Sequence, residues 1–322
     1  LVHDLLPAKS LAHHPAACSM KLADSSAEKT KLLLALMPAV FVLIWSTGFV
    51  VARLGMPFSP PFTFLEFRYL LSIAVFCIWI ALAKVPWPRS RAQWFHIGVT
   101  GVLMHAGYLG GVWAAVKAGM GSGLSALIVG LQPVLTALWL SYCGGEIRAR
   151  QWTGLLFGFL GLTLVLWNKL EQSTEINWLS GAFALMALMS ITTGTLYQKR
   201  HVLPCDVRTA NTVQLIFAAL VTAPFCWMES ESFVLTQQSL IAMVWSVFVL
   251  TIGGSSLLYL LIQKGAASKV SSLMYLVPPC TAFMAWLIFN EPISLLTLLG
   301  VGFTAFGVYL VIKTPARTQE VT

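Results

Sequence analysis

Charge is what this chain has least of. Asp, Glu, Lys and Arg make up 10% of its 322 residues, against about 25% in a water-soluble domain. With 57% hydrophobic residues and a mean hydropathy of +0.79, it cannot clothe a folded core in polar surface. That excludes a soluble globular protein. Alternating amphipathic segments of strand length are missing as well, which excludes an outer-membrane barrel. The sequence has no nucleotide-binding loop, no histidine–glutamate metal motif and no serine elbow. GMGSG at 119–123 has the glycines of a phosphate loop but no lysine after them, and reads as a tight turn. No enzyme, cofactor or metal is therefore expected, and transport without an ATP site must run on a gradient or downhill. The six cysteines (Cys18, Cys77, Cys143, Cys205, Cys226 and Cys280) stand singly without metal-ligand spacing and read as small apolar fillers.

What is present is a series of apolar runs. Uninterrupted stretches lie near 32–52, 62–83, 93–116, 121–143, 151–168, 177–198, 209–228, 238–263, 270–290 and 294–312. Most approach the roughly 20 residues a helix needs to cross the hydrocarbon core. The expected fold is an all-α integral membrane protein of ten transmembrane helices with short connections. Residues 1–30 are polar and irregular, carry no signal-peptide core, and are expected to form a disordered tail. Met20 opens MKLADSSAEKTK and reads as a natural start, so residues 1–19 are expected to be disordered or not translated. Residues 314–322 form a short C-terminal tail.

The formal net charge of +8 would suggest nucleic acid in a soluble protein. Here the cations cluster between apolar runs and speak of membrane orientation instead, so no nucleic-acid partner is expected. With the N-terminus in the cytoplasm, sixteen of the Lys and Arg residues fall in inside segments, and only Arg53, Lys117 and Lys169 fall outside. Both termini are expected in the cytoplasm of a cell whose inner (plasma) membrane holds the protein.

One stretch occurs twice. GLSALIVGLQPVLTALWLSYCGGE (123–146) overlays SKVSSLMYLVPPCTAFMAWLIFNE (268–291) without a gap, matching Pro133 with Pro278 and Glu146 with Glu291. Gly154 and Gly161 likewise match Gly300 and Gly307, at a spacing that puts small residues on one helix face. The halves are 31–168 and 178–313. Five spans in each is an odd number, so the second half enters from the opposite side as an inverted repeat, with a binding cavity expected near the midplane. Pro133 and Pro278 are expected to break their helices and free carbonyls there.

These features resemble the EamA domains of the drug/metabolite transporter superfamily. The resemblance rests on the WSTGFVVARLG run from Trp45 to Gly55, on PPFTFLEFRYLL from Pro60 to Leu71, and on the two proline-to-glutamate segments. It implies secondary export, or occasionally uptake, of small metabolites such as amino acids, sugars or drug-like amphiphiles, by alternating access around a central cavity. The second half departs from the first where Ile191 falls opposite Trp45, so the halves are not expected to contribute equally to recognition.

Polar groups inside the apolar runs are the candidate substrate contacts, since buried polarity in a membrane faces a cavity or a partner. They are Trp45, His105, Tyr108, Ser125, Gln132, Tyr197, Gln214, Tyr259 and Tyr275, with Ser271 beside the last. His105 could also couple transport to protons. Gln132, directly before Pro133, is the preferred contact. Glu66 and Arg68, two residues apart, point in different directions and are candidates for a gate or coupling pair. A membrane-embedded enzyme acting on lipid and a channel or sensor are the rival classes, but the acid–base cluster and the rings of charge they need are not visible. Reporter fusions near residues 172 and 231 should read as external; cytoplasmic readings at both would overturn this topology.

Overall fold

The computed structural model of the protein describes residues 36–143, 148–172, 177–263, 273, 276–290 and 294–312. The predicted tails at 1–30 and 314–322, and Glu146, Ser271, Tyr275 and Glu291, lie outside the described residues. The chain divides into two compact units, Leu1–Val40 and Phe41–Thr322.

Among the described residues all regular structure is helical. In order, the helices are α1 (Leu36–Phe58), α2 (Pro61–Ala83), α3 (Arg91–Lys117), α4 (Ser122–Val129), α5 (Gln132–Tyr142), α6 (Ala149–Gln172), α7 (Trp178–His201), α8 (Val207–Met228), α9 (Gln237–Leu261), α10 (Val277–Phe289) and α11 (Leu295–Ile312). Every one of the ten predicted apolar runs thus carries helix. Seven spans are long and apolar enough to cross a membrane: α1, α2, α3, α7, α8, α9 and the α4–α5 stretch Ser122–Trp139. Among the described residues, Val277–Phe289 in α10 and Leu298–Gly307 in α11 are shorter apolar helical stretches.

Helix ends follow local chemistry. Pro61 opens α2, where its missing N–H costs nothing. Asn177 with Ser180, and Thr236 with Ser239, form capping boxes at the starts of α7 and α9. Between α4 and α5 the helix is interrupted at Gly130–Leu131, and Pro133 sits in the first turn of α5. Pro278 holds the equivalent place in the first turn of α10. The two breaks meet, since a Cβ on Gly130 would lie 2.8 Å from the Pro278 ring.

The repeat is written into the packing. A Cβ on Gly161 would stand 2.4 Å from the Gly300 carbonyl oxygen, and one on Gly307 would stand 2.4 Å from that of Gly154. Advancing one member of the first pair by 146 residues and setting the other back by 146 generates the second pair. The same shift turns the Gly107–Ser190 approach into that of Gly253 to Ile44. It also turns the Phe62–Phe225 ring contact into the stacking of Arg208 on Trp79. The contacts therefore obey a pseudo-two-fold exchange of the two halves. Because the partner's number falls as the first rises, α6 crosses α11, and α2 crosses α8, antiparallel.

Loops sort to two ends. At one, Lys117 donates to the Met56 carbonyl, Val234 N to the Phe58 carbonyl and Asn177 Nδ2 to the Ala118 carbonyl. At the other, Gln93 Nε2 donates to the Leu203 carbonyl and Gln263 Nε2 to the Cys205 carbonyl, both at 3.0 Å. The second end carries the exposed cations Lys84, Arg89, Arg91, Lys199 and Arg200.

Backbones this close leave no room for a side chain. Gly161→Leu or Gly307→Leu should destabilise the protein by about 1–3 kcal/mol through overpacking. Gly302→Leu, whose Cβ would meet nothing within 4 Å, should leave the melting temperature of the detergent-solubilised protein unchanged. Equal melting temperatures for all three variants would refute the α6–α11 contact.

Candidate functional site

Between α1, α2, α3, α7, α8 and α9 lies a partly open chamber. Trp45, Phe49, Leu109, Val112, Trp113, Leu250 and Leu258 give it an apolar and aromatic lining. Its polar groups are Arg68, His105, Tyr108, Gln198, Gln214, Ser255 and Tyr259. That mixture, largely apolar with a few convergent polar atoms, is what a small-molecule site requires.

Two stretches of π-helix place much of this wall. Val102–Gly107 in α3 and Ser246–Ser255 in α9 are wound one residue wider per turn, and they occupy equivalent positions in the two halves. Widening releases carbonyls from the ordinary ladder, and side chains take them up. Tyr69 Oη donates to the His105 carbonyl at 2.9 Å, and Thr251 Oγ1 to the Ser246 carbonyl at 2.9 Å. His105 and Thr251 are thereby fixed facing α8 and α2.

The polar centre consists of two hydrogen bonds related by the 146-residue exchange. Arg68 Nε donates to Thr251 Oγ1 at 2.9 Å. Its counterpart joins Gln214 Oε1 to His105 Nε2 at 3.3 Å. Gln214 Nε2 then reaches Gln198 Oε1 at 3.5 Å, at the outer limit of a hydrogen bond. Three atoms of this cluster are left without a hydrogen-bond partner: Arg68 Nη1, His105 Nδ1 and Gln198 Nε2. Arg68 is 2% exposed. Beside them Trp45 Nε1 donates to Tyr108 Oη at 3.1 Å, with the rings stacked 5.9 Å apart.

Of the sequence candidates, the chamber gathers Trp45, Arg68, His105, Tyr108, Gln214 and Tyr259. Others lie elsewhere. Gln132 is 1% exposed and donates Nε2 to Thr195 Oγ1 at 3.2 Å, tying the helix break to α7. Ser125 is buried and does not line the chamber. Tyr197 sits at the cation-rich end, its hydroxyl 2.8 Å from His96 Nδ1 and its ring stacked on His201. Glu66 faces away from Arg68, as its spacing requires, and accepts from Thr222 Oγ1 at 2.8 Å. Sequence reading missed Gln198, Trp113, Thr251 and Ser255. Thr251 could have been found as the repeat counterpart of His105; Gln198, next to Lys199 and Arg200, looks like a helix end.

The two ends of the chamber differ. Toward the first end Phe64 stacks on Trp113 at 4.5 Å, and Phe233 packs against Phe64. Outside this plug Lys117 pairs with Glu231. Glu229 caps α2, accepting from Phe62 N at 2.8 Å and from Thr63 N and Oγ1 at 2.7 Å each. Toward the cation-rich end, Gln198 and Tyr259 separate the chamber from a second pocket lined by Lys199, Val202, Pro204, Ile262 and Gln263. Here Tyr259 Oη lies 3.0 Å from Cys205 Sγ. Burial pushes the Cys205 thiol up, whereas the Arg208 side chain, bonded to Asp206, holds that carboxylate below its ordinary range.

The Glu229 cap should matter energetically. Glu229→Ala removes three hydrogen bonds and a negative charge from a helix N-terminus, and should cost about 1–2 kcal/mol in thermal unfolding. Glu229→Gln should lose less, and an unchanged melting temperature in the alanine variant would contradict the contact.

Comparison with known proteins gives a consistent result. The sequence matches the EamA-like transporter family twice, over residues 30–167 and 178–313. An uncharacterized transporter of Bacillus subtilis, YvbV, is 26% identical over 89% of this chain and 93% of its own length. A probable amino-acid metabolite efflux pump of Escherichia coli is 23% identical over 84% of this chain and 91% of its own. One solved crystal structure superposes with a TM-score of 0.68 at 18% identity, covering 85% of this chain and 94% of the other. At that identity the likeness concerns the fold alone.

Proposed function

The chain belongs to the EamA-like transporter family, and from that premise we propose that it is a secondary exporter of small metabolites, such as amino acids or drug-like amphiphiles. In this reading all ten apolar runs cross the plasma membrane, with both termini and the cation-rich end in the cytoplasm. The cargo passes through unchanged, driven by a gradient, with the chamber exposed to one side at a time.

The observation that carries the reading is the chamber itself. Its walls come from both halves, and one end is plugged by Phe64, Trp113 and Phe233 behind the Lys117–Glu231 pair. A route shut at one end by side chains, rather than by continuous backbone, suits a gate. Trp45, Arg68, His105, Tyr108, Gln214 and Tyr259 are the proposed substrate contacts. Ser125, Gln132 and Tyr197 are assigned to the moving frame around them, with Pro133 and Pro278 as the points of bending. Glu66, held by Thr222 on α8, is the proposed coupling carboxylate, with His105 as its partner in proton movement. The efflux activity in the name of the E. coli relative supports export as the direction.

Alternation can be tested at the plug. In a background with the native cysteines replaced by serine, Lys117→Cys and Glu231→Cys joined by a short bis-maleimide should reduce counterflow in proteoliposomes to about a tenth or less. Each single variant treated the same way should keep its flux. Undiminished flux in the cross-linked protein would rule out an opening at this end.

A further inference from the structure

We propose that the chamber selects small organic carboxylates, with the carboxylate held by Arg68 and an apolar or aromatic body lying along Trp45 and Tyr108. This rests on the transport reading above and deepens it.

An arginine stays charged at any physiological pH. Burying it without a counter-charge is costly, so membrane proteins pair such groups or set them against water or a ligand. Arg68 is 2% exposed, it spends Nε on Thr251, and its Nη1 has no hydrogen-bond partner. Among the described residues no carboxylate lies within ion-pair distance of it, and none lines the chamber. The nearest in sequence, Glu66, is engaged with Thr222 instead. The charge is therefore left for something that enters.

The repeat shows that the fold itself does not call for this cation. The position equivalent to Arg68 in the second half is Gln214, on the antiparallel helix α8, and it makes the equivalent bond to His105. A neutral side chain thus serves the same packing position and the same bond to the neighbouring π stretch. What Arg68 adds is charge.

The remaining unfilled groups define the rest of the ligand. Gln198 Nε2 is a second free donor, able to reach an acceptor on the same ligand. Since Gln214 Oε1 can only accept, His105 Nε2 must donate to it, which leaves Nδ1 of the neutral ring as an acceptor. Two donors, one of them cationic, and one acceptor suit a carboxylate that also carries one neutral N–H or O–H. A cationic amphiphile would face Arg68 with no carboxylate to balance either charge.

Three ligands sharing one ring separate the possibilities: indole-3-acetate, indole-3-acetamide and tryptamine, carrying a negative, a zero and a positive charge. Titration calorimetry on the purified full-length protein should show indole-3-acetate binding about tenfold or more tighter than the amide, and no binding of the amine. Arg68→Gln, which copies the residue of the second half, should bring the acid down to the amide's affinity while gel filtration and helicity stay unchanged. Charge-blind binding, preference for tryptamine, no binding of the acid at millimolar concentration, or wild-type affinity in the variant would each overturn the proposal. The wild-type ranking decides the matter even where the variant fails to fold. Counterflow of the bound acid in proteoliposomes tests the underlying reading separately. Charge-selective binding without flux would refute transport and leave the anion site standing, whereas charge-blind flux would do the reverse.

Discussion

Two hydrogen bonds, Arg68 to Thr251 and Gln214 to His105, hold the centre of this molecule together. Each joins the second helix of one half to the π stretch of the third helix in the other. Neither half can complete its own polar centre, so the halves are obliged to interlock. In an apolar solvent, helix association gains little from the hydrophobic effect and relies on close packing and on bonds like these. A single bond of this kind is worth about 0.6 kcal/mol on average in a membrane protein. Their importance lies in position more than in strength, because they fix which faces of α2, α3, α8 and α9 turn inward.

The close packing is supplied elsewhere, by glycine. The α6–α11 crossing sets backbone against backbone at Gly161 and Gly307, away from the chamber. A Cβ on Gly101 would likewise lie 2.2 Å from the Gln214 carbonyl oxygen, so α3 and α8 touch just beside the chamber. This brings Gln214 within reach of His105. Small residues thus set the spacing that the polar pairs need, and the π stretches then aim the side chains.

How much of this could be read from the sequence differs by physical cause. Helices were legible because a membrane span is defined by composition and length. The glycine pair Gly154–Gly161 was legible as an echo of Gly300–Gly307, since close approach needs the same small residue in both copies. Trp45, Arg68, His105, Tyr108, Gln214 and Tyr259 were legible as polar or amphipathic groups in apolar runs, and the structure places them on one chamber. Gln132 carries the same signature yet is buried against Thr195. A polar group between helices and one facing a cavity look alike in sequence, because both satisfy the rule that polarity must face away from lipid. The π stretches left no sequence signal at all. They reflect a single extra residue per turn, and hydrophobic periodicity over so short a window does not resolve it.

The exchange of halves has an energetic consequence. Contact positions at one end of the molecule have counterparts at the other, as Phe62–Phe225 has in Arg208–Trp79. Under the proposed alternating access, closing one end and closing the other would be the same rearrangement with the halves swapped. Identical halves would make the two states equal in energy, and only differences between the halves can favour one. Two such differences lie at the plugged end. Lys117, which pairs with Glu231, corresponds to Gln263, which makes a neutral bond to the Cys205 carbonyl. Glu229, with its three bonds to α2, corresponds to Ala83, which has no side chain to offer. The ion pair and the cap therefore hold the plugged end together with no counterpart at the other end. In the proposed exporter, a ligand held by Arg68 would act on that same balance, shifting the two states only by as much as its affinity differs between them.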